Sequence, residues 1–303
     1  MLNQAIDSYI EIRRAAGFEL KVVEGLLHNF ARFAANRSED QVQRQTAIDW
    51  AAQAPSPYQR ERRLSMVRGF AQHARAEDPS HDRIPRHVFA HQRRRPSPYI
   101  FSPDELCQLL DATAHLRPKG SLRSHTYYTL FGLLATTGLR ISEALHLILS
   151  DVTADGLLVR KTKFRKSRLV PLHETTATAL KRYLDQRQAL GGGDDHVFIS
   201  TKGGALSYAM VNGTFHFLMR SIDLRAKPGL PHPRIHNLRH YFAVRALENC
   251  HGGRDAVARH ILALSTYLGH AHVTDTYWYL QATPHLMTGI ADACEVFNDG
   301  GAP

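Results

Sequence analysis

The sequence predicts a mainly α-helical fold in two domains, the first all-helical and the second a mixed α+β domain with a small antiparallel sheet. Apolar residues recur at helical spacing through most of the 303-residue chain. A proline-rich, basic stretch at residues 78–103 interrupts that spacing, because proline restricts both itself and the residue before it. Alternating apolar and basic residues at 156–172 predict a hairpin.

Four helices are predicted in the first domain, which we place at residues 1–92. The first helix ends at Gly17, and the second spans residues 22–35. Thr46 is the predicted N-cap of a short third helix, and the fourth helix spans residues 58–76. The apolar face of the first helix is formed by Ile6, Tyr9, Ile10 and Ile12. The outer face of the fourth helix is rich in arginine, with Arg60, Arg62, Arg63 and Arg68.

A basic, proline-rich linker is predicted at residues 93–102, and the second domain at residues 103–303. Ser102 is a candidate N-cap, Pro103 occupies the first helical position, and Glu105 completes a capping box. A strong helix start therefore opens the second domain. The linker serves either as a plain tether or as a strap across phosphates. Its basic run is Arg93, Arg94 and Arg95.

The rest of the second domain is predicted to be helical around the hairpin. A helix at residues 127–136 ends at Gly138, and a short helix follows at 141–149. The hairpin at 156–172 has a basic tip, and helices return after it. Apolar positions in the tail at 281–303 predict a helical face that docks on a neighbouring copy or on its own domain.

The chain is strongly basic. Its 38 Lys and Arg residues outnumber 28 Asp and Glu residues, giving a net charge of +10. This excess favours a polyanionic partner, since basic side chains neutralise phosphates and release counterions, although many basic proteins bind no nucleic acid. Apolar runs fall short of the ~20 residues that a membrane span needs. The cysteines, at positions 107, 250 and 294, lack metal-binding spacing. We therefore expect a cytoplasmic protein that needs no membrane, metal or cofactor.

Charged or nucleophilic groups occur in four local features. In the first, the segment TGLRISE at 137–143, a glycine turn leads into a helix with Arg140 at its start and Glu143 one turn later. A cation is poorly placed at a helix N terminus unless an anion shares the site, and the alternative is an ordinary surface ion pair. The second feature is the hairpin tip around Lys163, followed by RLVPL at 168–172. The alternative there is an ordinary exposed hairpin.

The third feature is the pair His236 and Arg239, which share a helical face and can contact one phosphate. The fourth is a Gly-His pair ending at His270, followed nine residues later by Tyr279. Each alone has a plain structural explanation. The third would be a capping histidine with a surface arginine, and the fourth a C-capping glycine with a partly buried tyrosine.

The order and spacing of these residues resemble the tyrosine recombinase family, which includes phage integrases and Xer-type resolvases. The resemblance covers about residues 102–280 and implies a SAM-like, core-DNA-binding first domain. Together with the catalytic second domain, that domain would close as a clamp around duplex DNA. The matching positions, in chain order, are Arg140, Glu143, Lys163, His236, Arg239, His270 and Tyr279.

The resemblance implies that Tyr279 is the nucleophile of a DNA strand transferase. The guanidiniums of Arg140 and Arg239 would hold the non-bridging phosphate oxygens through charge-assisted hydrogen bonds. These positive charges would take the place of a metal ion. A 3′-phosphotyrosine keeps the energy of the phosphodiester, so strand exchange would need no ATP.

The remaining positions would handle protons and orientation. His236, oriented through Glu143, would accept the tyrosine proton, and His270 would support the same phosphate. Lys163 would protonate the leaving 5′ oxygen. By the same resemblance, a homotetramer acts on two duplex DNA sites with inverted binding sequences, and neighbouring copies exchange the tails that follow Tyr279.

Several alternatives stay open within the sequence. Tyr277 competes with Tyr279 as the nucleophile, but the spacing from the Gly-His pair favours Tyr279, and Tyr277 is then expected to pack inward or brace the helix. Lys161 and Lys166 lie close to Lys163. A non-catalytic DNA-binding accessory protein of the same fold and a type IB-like topoisomerase are rival functions. The biological setting (mobile element, phage, integron or chromosome) is also open.

Overall fold

A computed structural model describes residues 2–89, 98–160, 167–190, 194–224, 231–250, 254–270, 272–277 and 279. By its internal contacts the chain divides into two compact units, Met1–Arg95 and Pro96–Pro303. Lys163, the linker arginines and the tail at 281–303 lie outside the described residues. The fold is mainly helical with a small three-stranded antiparallel sheet, which confirms the predicted fold class.

The first unit contains four helices among its described residues. They are α1 Leu2–Ala15, α2 Lys21–Ala35, α3 Arg44–Ala52 and α4 Pro57–Glu77. Phe30 and Trp50 meet edge to face in its core, with ring centroids 5.4 Å apart. Other buried side chains of this core are Ile6, Ile10, Leu27, Leu64, Val67 and Phe70. Burial of these apolar faces supplies most of the stability of the four helices.

Two details of the first unit differ from the sequence predictions. Ile12 is exposed, because it lies two residues from buried Ile10 and therefore about 200° around the helix. Thr46 lies inside α3, where its hydroxyl donates to the Glu39 carboxylate at 2.8 Å, and Gln43 takes the N-cap position. The predicted cap at Thr46 is therefore wrong.

The arginine face of α4 is partly engaged within its own unit. Arg60 Nε donates to the carbonyl of Ala54 at 2.8 Å, and Arg68 donates to Glu61 at 3.0 Å. Arg62 is exposed. Part of this face is therefore structural rather than simply solvated.

The second unit places helices before and after its sheet. Before it come α5 Pro103–Thr113, α6 Leu122–Thr137 and α7 Ile141–Leu145. After it come α8 Glu174–Ala189, α9 Tyr208–Ser221, α10 His236–Glu248, α11 Arg254–Leu268 and α12 Thr274–Tyr277. The strands are β1 Val152–Thr153, β2 Gly156–Val159 and β3 Arg168–Val170, in the order β1-β2-β3. β2 and β3 form the predicted hairpin, and Leu157 pairs with Val170.

Helix ends in the second unit agree only in part with the sequence predictions. The predicted capping box of α5 is present, with Glu105 N–H donating to Ser102 Oγ at 3.1 Å and the reverse bond at 2.9 Å. α6 begins at Leu122 instead of residue 127, with Ser121 as its N-cap residue. α7 ends at Leu145 instead of residue 149, and a 3₁₀ turn, Leu149–Asp151, follows it.

A small separate core lies beneath α10 and α11 and positions the segment after α11. Its buried members are Ala243, Val244, Leu247, Ile261, Leu264, Leu268 and Tyr279. Tyr279 is therefore part of the packing of its own unit. Within the described ranges, no helix has the length and apolar character needed to cross a membrane.

Candidate active site

The turn between α6 and α7 positions Arg140. Gly138 ends α6 with a φ of +62°, and a Cβ at this position would lie 2.5 Å from the Phe242 ring and 2.9 Å from Leu268. Glycine is required both by this backbone conformation and by the close approach of the two side chains. Arg140 follows as the N-cap residue of α7, and its Nη2 donates to the carbonyl of Gly269 at 3.1 Å.

Glu143 is the centre of a buried charge network. Arg140 Nη1 donates to Oε1 of Glu143 at 2.7 Å, and the backbone N–H of Arg140 donates to Oε2 at 2.9 Å. Arg168, at the start of β3, donates from Nη1 and Nη2 to the two carboxylate oxygens at 3.1 and 2.8 Å. In the sequence, Arg168 serves only to mark the hairpin. Its position directly before Leu-Val-Pro-Leu was the one sequence signal for it.

Replacing Glu143 is expected to give a stability loss that depends on pH. Burial alone would raise the pKa of Glu143, but hydrogen bonds from Arg168 and from the Arg140 backbone outweigh it and lower the pKa from 4.5 to about 2. Because the pKa is lower in the folded state, ionised Glu143 stabilises the fold fully above pH 4.5 and loses this effect as the pH falls toward 2. We expect Glu143→Gln to lower the free energy of unfolding at neutral pH by on the order of 3 kcal/mol.

Urea unfolding of both proteins across the acid range measures this effect. The difference between wild type and Glu143→Gln should shrink as the pH falls below the ordinary carboxyl range. A difference that stays constant throughout would show that the ionised carboxylate does not stabilise the fold.

Arg239 lies deeper than Arg140 and is 2% exposed. Its Nη1 donates to the carbonyl of Gly138 and its Nη2 to the carbonyl of Leu268, both at 2.6 Å. Burial and the positive charge of Arg140 lower the pKa of Arg239 to about 10, so the guanidinium remains protonated at neutral pH. The carbonyls of Gly138, Leu268 and Gly269 thus hold Arg140 and Arg239 close together.

His270 follows α11 after the left-handed residue Gly269, whose φ is +66°. Its Nδ1 lies 2.8 Å from Oγ1 of buried Thr276. Burial, together with the charges of Arg239 and Arg140, lowers the pKa of His270 to about 4. His270 is therefore a neutral imidazole at neutral pH, and Thr276 fixes its ring.

Tyr279 is buried beside two histidines. Its phenol oxygen lies 3.1 Å from Nδ1 of His240. The rings of His270 and Tyr279 are nearly parallel, with centroids 6.2 Å apart. Tyr279 is also close enough to Arg239 to affect its pKa. The structure therefore groups the predicted nucleophile with Arg239 and His270.

The histidine at the phenol oxygen, His240, is not among the site residues predicted from the sequence. His236 is exposed, and its ring contacts the ring of His240 with centroids 4.6 Å apart. Arg140 and Arg168 bond to both carboxylate oxygens of Glu143, and the orientation of His236 through Glu143 stays a prediction. Residues four apart share a helical face, so the spacing from His236 could have pointed to His240.

Two other predictions concern Tyr277 and Lys163. Tyr277, expected to pack inward or to brace the helix, is 51% exposed, so the expectation of inward packing is wrong. Lys163 lies outside the described residues. Among the residues that the structure describes, no three His, Cys, Asp or Glu side chains come together to hold a metal ion.

Comparison with known proteins decides the family. Residues 100–285 match the model of the Phage integrase family. The chain is 39% identical over 296 residues to "Putative integrase/recombinase y4rB" of Sinorhizobium fredii, covering 94% of each protein. It is 30% identical over 246 residues to the tyrosine recombinase XerD of Brucella abortus, covering 78% of this chain and 75% of that protein. This chain belongs to the tyrosine recombinase family.

Solved structures of other tyrosine recombinases share the fold. The Tn1549 transposon integrase, in complex with transposon right end DNA, matches with a TM-score of 0.70 at 18% identity, covering 96% of this chain and 98% of that one. A lambda integrase dimer bound to a core site matches with a TM-score of 0.64 at 21% identity, covering 92% and 76%. The predicted tyrosine recombinase fold is confirmed, and the protein is a tyrosine-type site-specific recombinase.

Proposed function

We propose that this recombinase cuts and rejoins duplex DNA through a covalent bond between Tyr279 and a 3′ phosphate. The best support is the position of the Tyr279 phenol, which is buried close to the fixed guanidinium of Arg239. Arg239 donates to the carbonyl of Leu268, and Arg140 donates to the carbonyl of the next residue, Gly269. Negative charge that builds on the phosphate oxygens during attack would meet donors already in place, which lowers the barrier.

The charge balance of the site also supports phosphate binding. Three arginines, Arg140, Arg168 and Arg239, lie around the carboxylate of Glu143, so positive charge exceeds negative charge among these four side chains. Repulsion from Arg140 and Arg168 contributes to the lowered pKa of Arg239. A phosphodiester carries one negative charge and would relieve this repulsion. The arrangement is therefore suited to an anion.

The proposed chemistry moves one proton onto the protein and one off it. As Tyr279 attacks phosphorus, the bond from its oxygen to phosphorus forms, and His240 accepts the phenol proton. The bond from phosphorus to the 5′ oxygen breaks, and Lys163 protonates that leaving oxygen. His236 and neutral His270 would donate to the phosphate oxygens. A 5′ hydroxyl from another strand then reverses these steps, so no energy source is consumed.

The proposed substrate is duplex DNA with inverted sites, bound by four copies of the chain. The net charge of +10 favours a polyanionic partner. A lambda integrase tetramer bound to a Holliday junction has the same fold, with a TM-score of 0.64 at 18% identity. We propose the same kind of assembly here, with the tail at 281–303 docking on a neighbouring copy.

A joining assay tests this function against its two rivals. The sites are first located by mapping the covalent complex on genomic DNA. The purified protein should then form a covalent adduct and join two site-bearing duplexes. Relaxation of supercoiled DNA without joining would favour a type IB-like topoisomerase. Binding without any adduct would favour a non-catalytic accessory protein.

Lys163 is predicted to be the general acid, so Lys163→Ala should slow cleavage more than it weakens DNA binding. We expect a loss of about 100-fold or more in the single-turnover rate on an ordinary phosphodiester. A substrate with a 5′-bridging sulfur should restore much of the rate, because a thiolate leaves without needing a proton. Lys161→Ala and Lys166→Ala are the matched controls. Sulfur rescue in either control, and not in Lys163→Ala, would move the assignment to that lysine.

A further inference from the structure

Arg168 lies in the candidate active site but has no role in the chemistry described above. It donates two hydrogen bonds to Glu143, and its side chain is 16% exposed. A Cβ on Gly269 would lie 3.3 Å from Nη1 of Arg168 and 3.9 Å from Nη1 of Arg140. The two guanidiniums therefore border the same glycine, with the carboxylate of Glu143 bonded to both.

The two arginines bond to Glu143 in different ways. Arg168 uses both Nη atoms, one for each carboxylate oxygen. Arg140 uses Nη1 for Glu143 and turns Nη2 to the carbonyl of Gly269. A carboxylate that already accepts the fork of Arg168 and the backbone N–H of Arg140 has little acceptor capacity left. Arg140 therefore does not form the forked pair that an isolated arginine and glutamate prefer.

We propose that Arg168 is a positioning residue that acts through Glu143 to keep Arg140 available for the phosphate. This inference rests on the proposed function, in which Arg140 binds the phosphate. With Arg168 present, the three side chains carry a net charge of +1. Without Arg168, the pair of Arg140 and Glu143 would be neutral, and Arg140 would close on the carboxylate. The phosphate would then meet a weaker positive charge and fewer free donors.

The inference predicts how substitutions of Arg168 and Glu143 combine. Arg168→Ala should lower the single-turnover cleavage rate at saturating DNA by about 10- to 100-fold, with less than about a threefold change in DNA affinity. Arg168→Lys should recover part of the rate, because an ammonium keeps the charge without the fork. In a protein that already carries Glu143→Gln, Arg168→Ala should lower the cleavage rate by about threefold or less. The carboxylate through which Arg168 acts is then absent.

The experiment measures the rate of covalent adduct formation on nicked suicide DNA for the wild type, the three single variants and the double variants. Thermal unfolding of each protein confirms that it is folded at the assay temperature. If Arg168→Ala is unfolded, Arg168→Lys alone and with Glu143→Gln supplies the same comparison. Arg160→Ala is the matched control. Arg160 belongs to the same hairpin as Arg168 but forms its ion pair with Asp151 instead of Glu143. The control variant should cleave at the wild-type rate.

The outcomes separate this inference from the proposed function. If the wild type forms no adduct, the proposed function fails. A second outcome is that the wild type cleaves while Arg168→Ala lowers the rate of adduct formation by the same factor in the presence and in the absence of Glu143. Arg168 then acts independently of the carboxylate, and the inference is wrong. A wild-type rate in folded Arg168→Ala would also overturn it. A loss that appears only in DNA affinity would instead assign Arg168 to DNA contact.

Discussion

Tyr279→Phe is expected to abolish the covalent protein–DNA adduct while leaving folding and DNA binding nearly intact. The change removes one oxygen, which is the proposed nucleophile. That oxygen forms a hydrogen bond with His240, so we expect a stability loss of about 1 kcal/mol. No other atom of the ring can attack phosphorus, so the loss of cleavage should be complete. Trapping on nicked suicide DNA, followed by mass spectrometry of the modified peptide, measures the adduct.

Tyr277→Phe is the matched control, because it removes the same atom two residues away. Tyr277 is 51% exposed, whereas Tyr279 is 2% exposed. Tyr277 is the last residue of α12, and Tyr279 follows in a turn, where its phenol oxygen lies 3.1 Å from Nδ1 of His240. Tyr277→Phe should therefore form the adduct at the wild-type level. A phosphate on Tyr277, or an adduct that survives Tyr279→Phe, would overturn the assignment.

Helix ends could be predicted where neighbouring residues define them. The capping box of Ser102 and Glu105 and the end of α6 at Gly138 depend on contacts within a few positions. The start of α6 has a local signal in its N-cap residue Ser121, which the sequence prediction missed, and burial against distant residues also holds its first turn. Leu122 and Thr126 are buried, and the Thr126 hydroxyl lies 3.5 Å from the carbonyl of Ile199. Such contacts leave no signal in the local sequence.

The difference between local signals and contacts over long distances along the chain also explains which site residues could be predicted from the sequence. The family motifs supplied the arginines, histidines and tyrosine that are proposed to carry out phosphoryl transfer, and the structure groups Arg239, His270 and Tyr279. Arg168 and His240 were missed because their roles depend on partners 25 and 39 positions away along the chain. His240 lies directly beside Arg239, and Arg168 is the first residue of the RLVPL segment. A sequence pattern alone does not show which neighbour turns toward the site.

Arg239→Lys is expected to lower the single-turnover cleavage rate by about 100- to 1,000-fold, the usual cost of losing one preorganised donor to a developing oxyanion. Arg239 donates to the carbonyls of Gly138 and Leu268, and its planar fork also has donors to spare for a phosphate. A lysine keeps the charge but offers a single nitrogen, which cannot reach both carbonyls and a phosphate. The free energy of unfolding should also fall by about 1–3 kcal/mol, because one buried carbonyl loses its donor.

Arg187→Lys separates the catalytic loss from the folding loss. Arg187, on α8, is 4% exposed and donates to backbone carbonyls, one of them that of His196 at 2.9 Å. Lysine there should cost a similar amount of stability, but it changes no group of the proposed phosphate site. Urea unfolding and single-turnover cleavage of both variants therefore form a matched pair. If both lose stability and only Arg239→Lys loses cleavage, the effect comes from the phosphate site. Equal rate losses in the two variants would mean that Arg239 acts through folding alone.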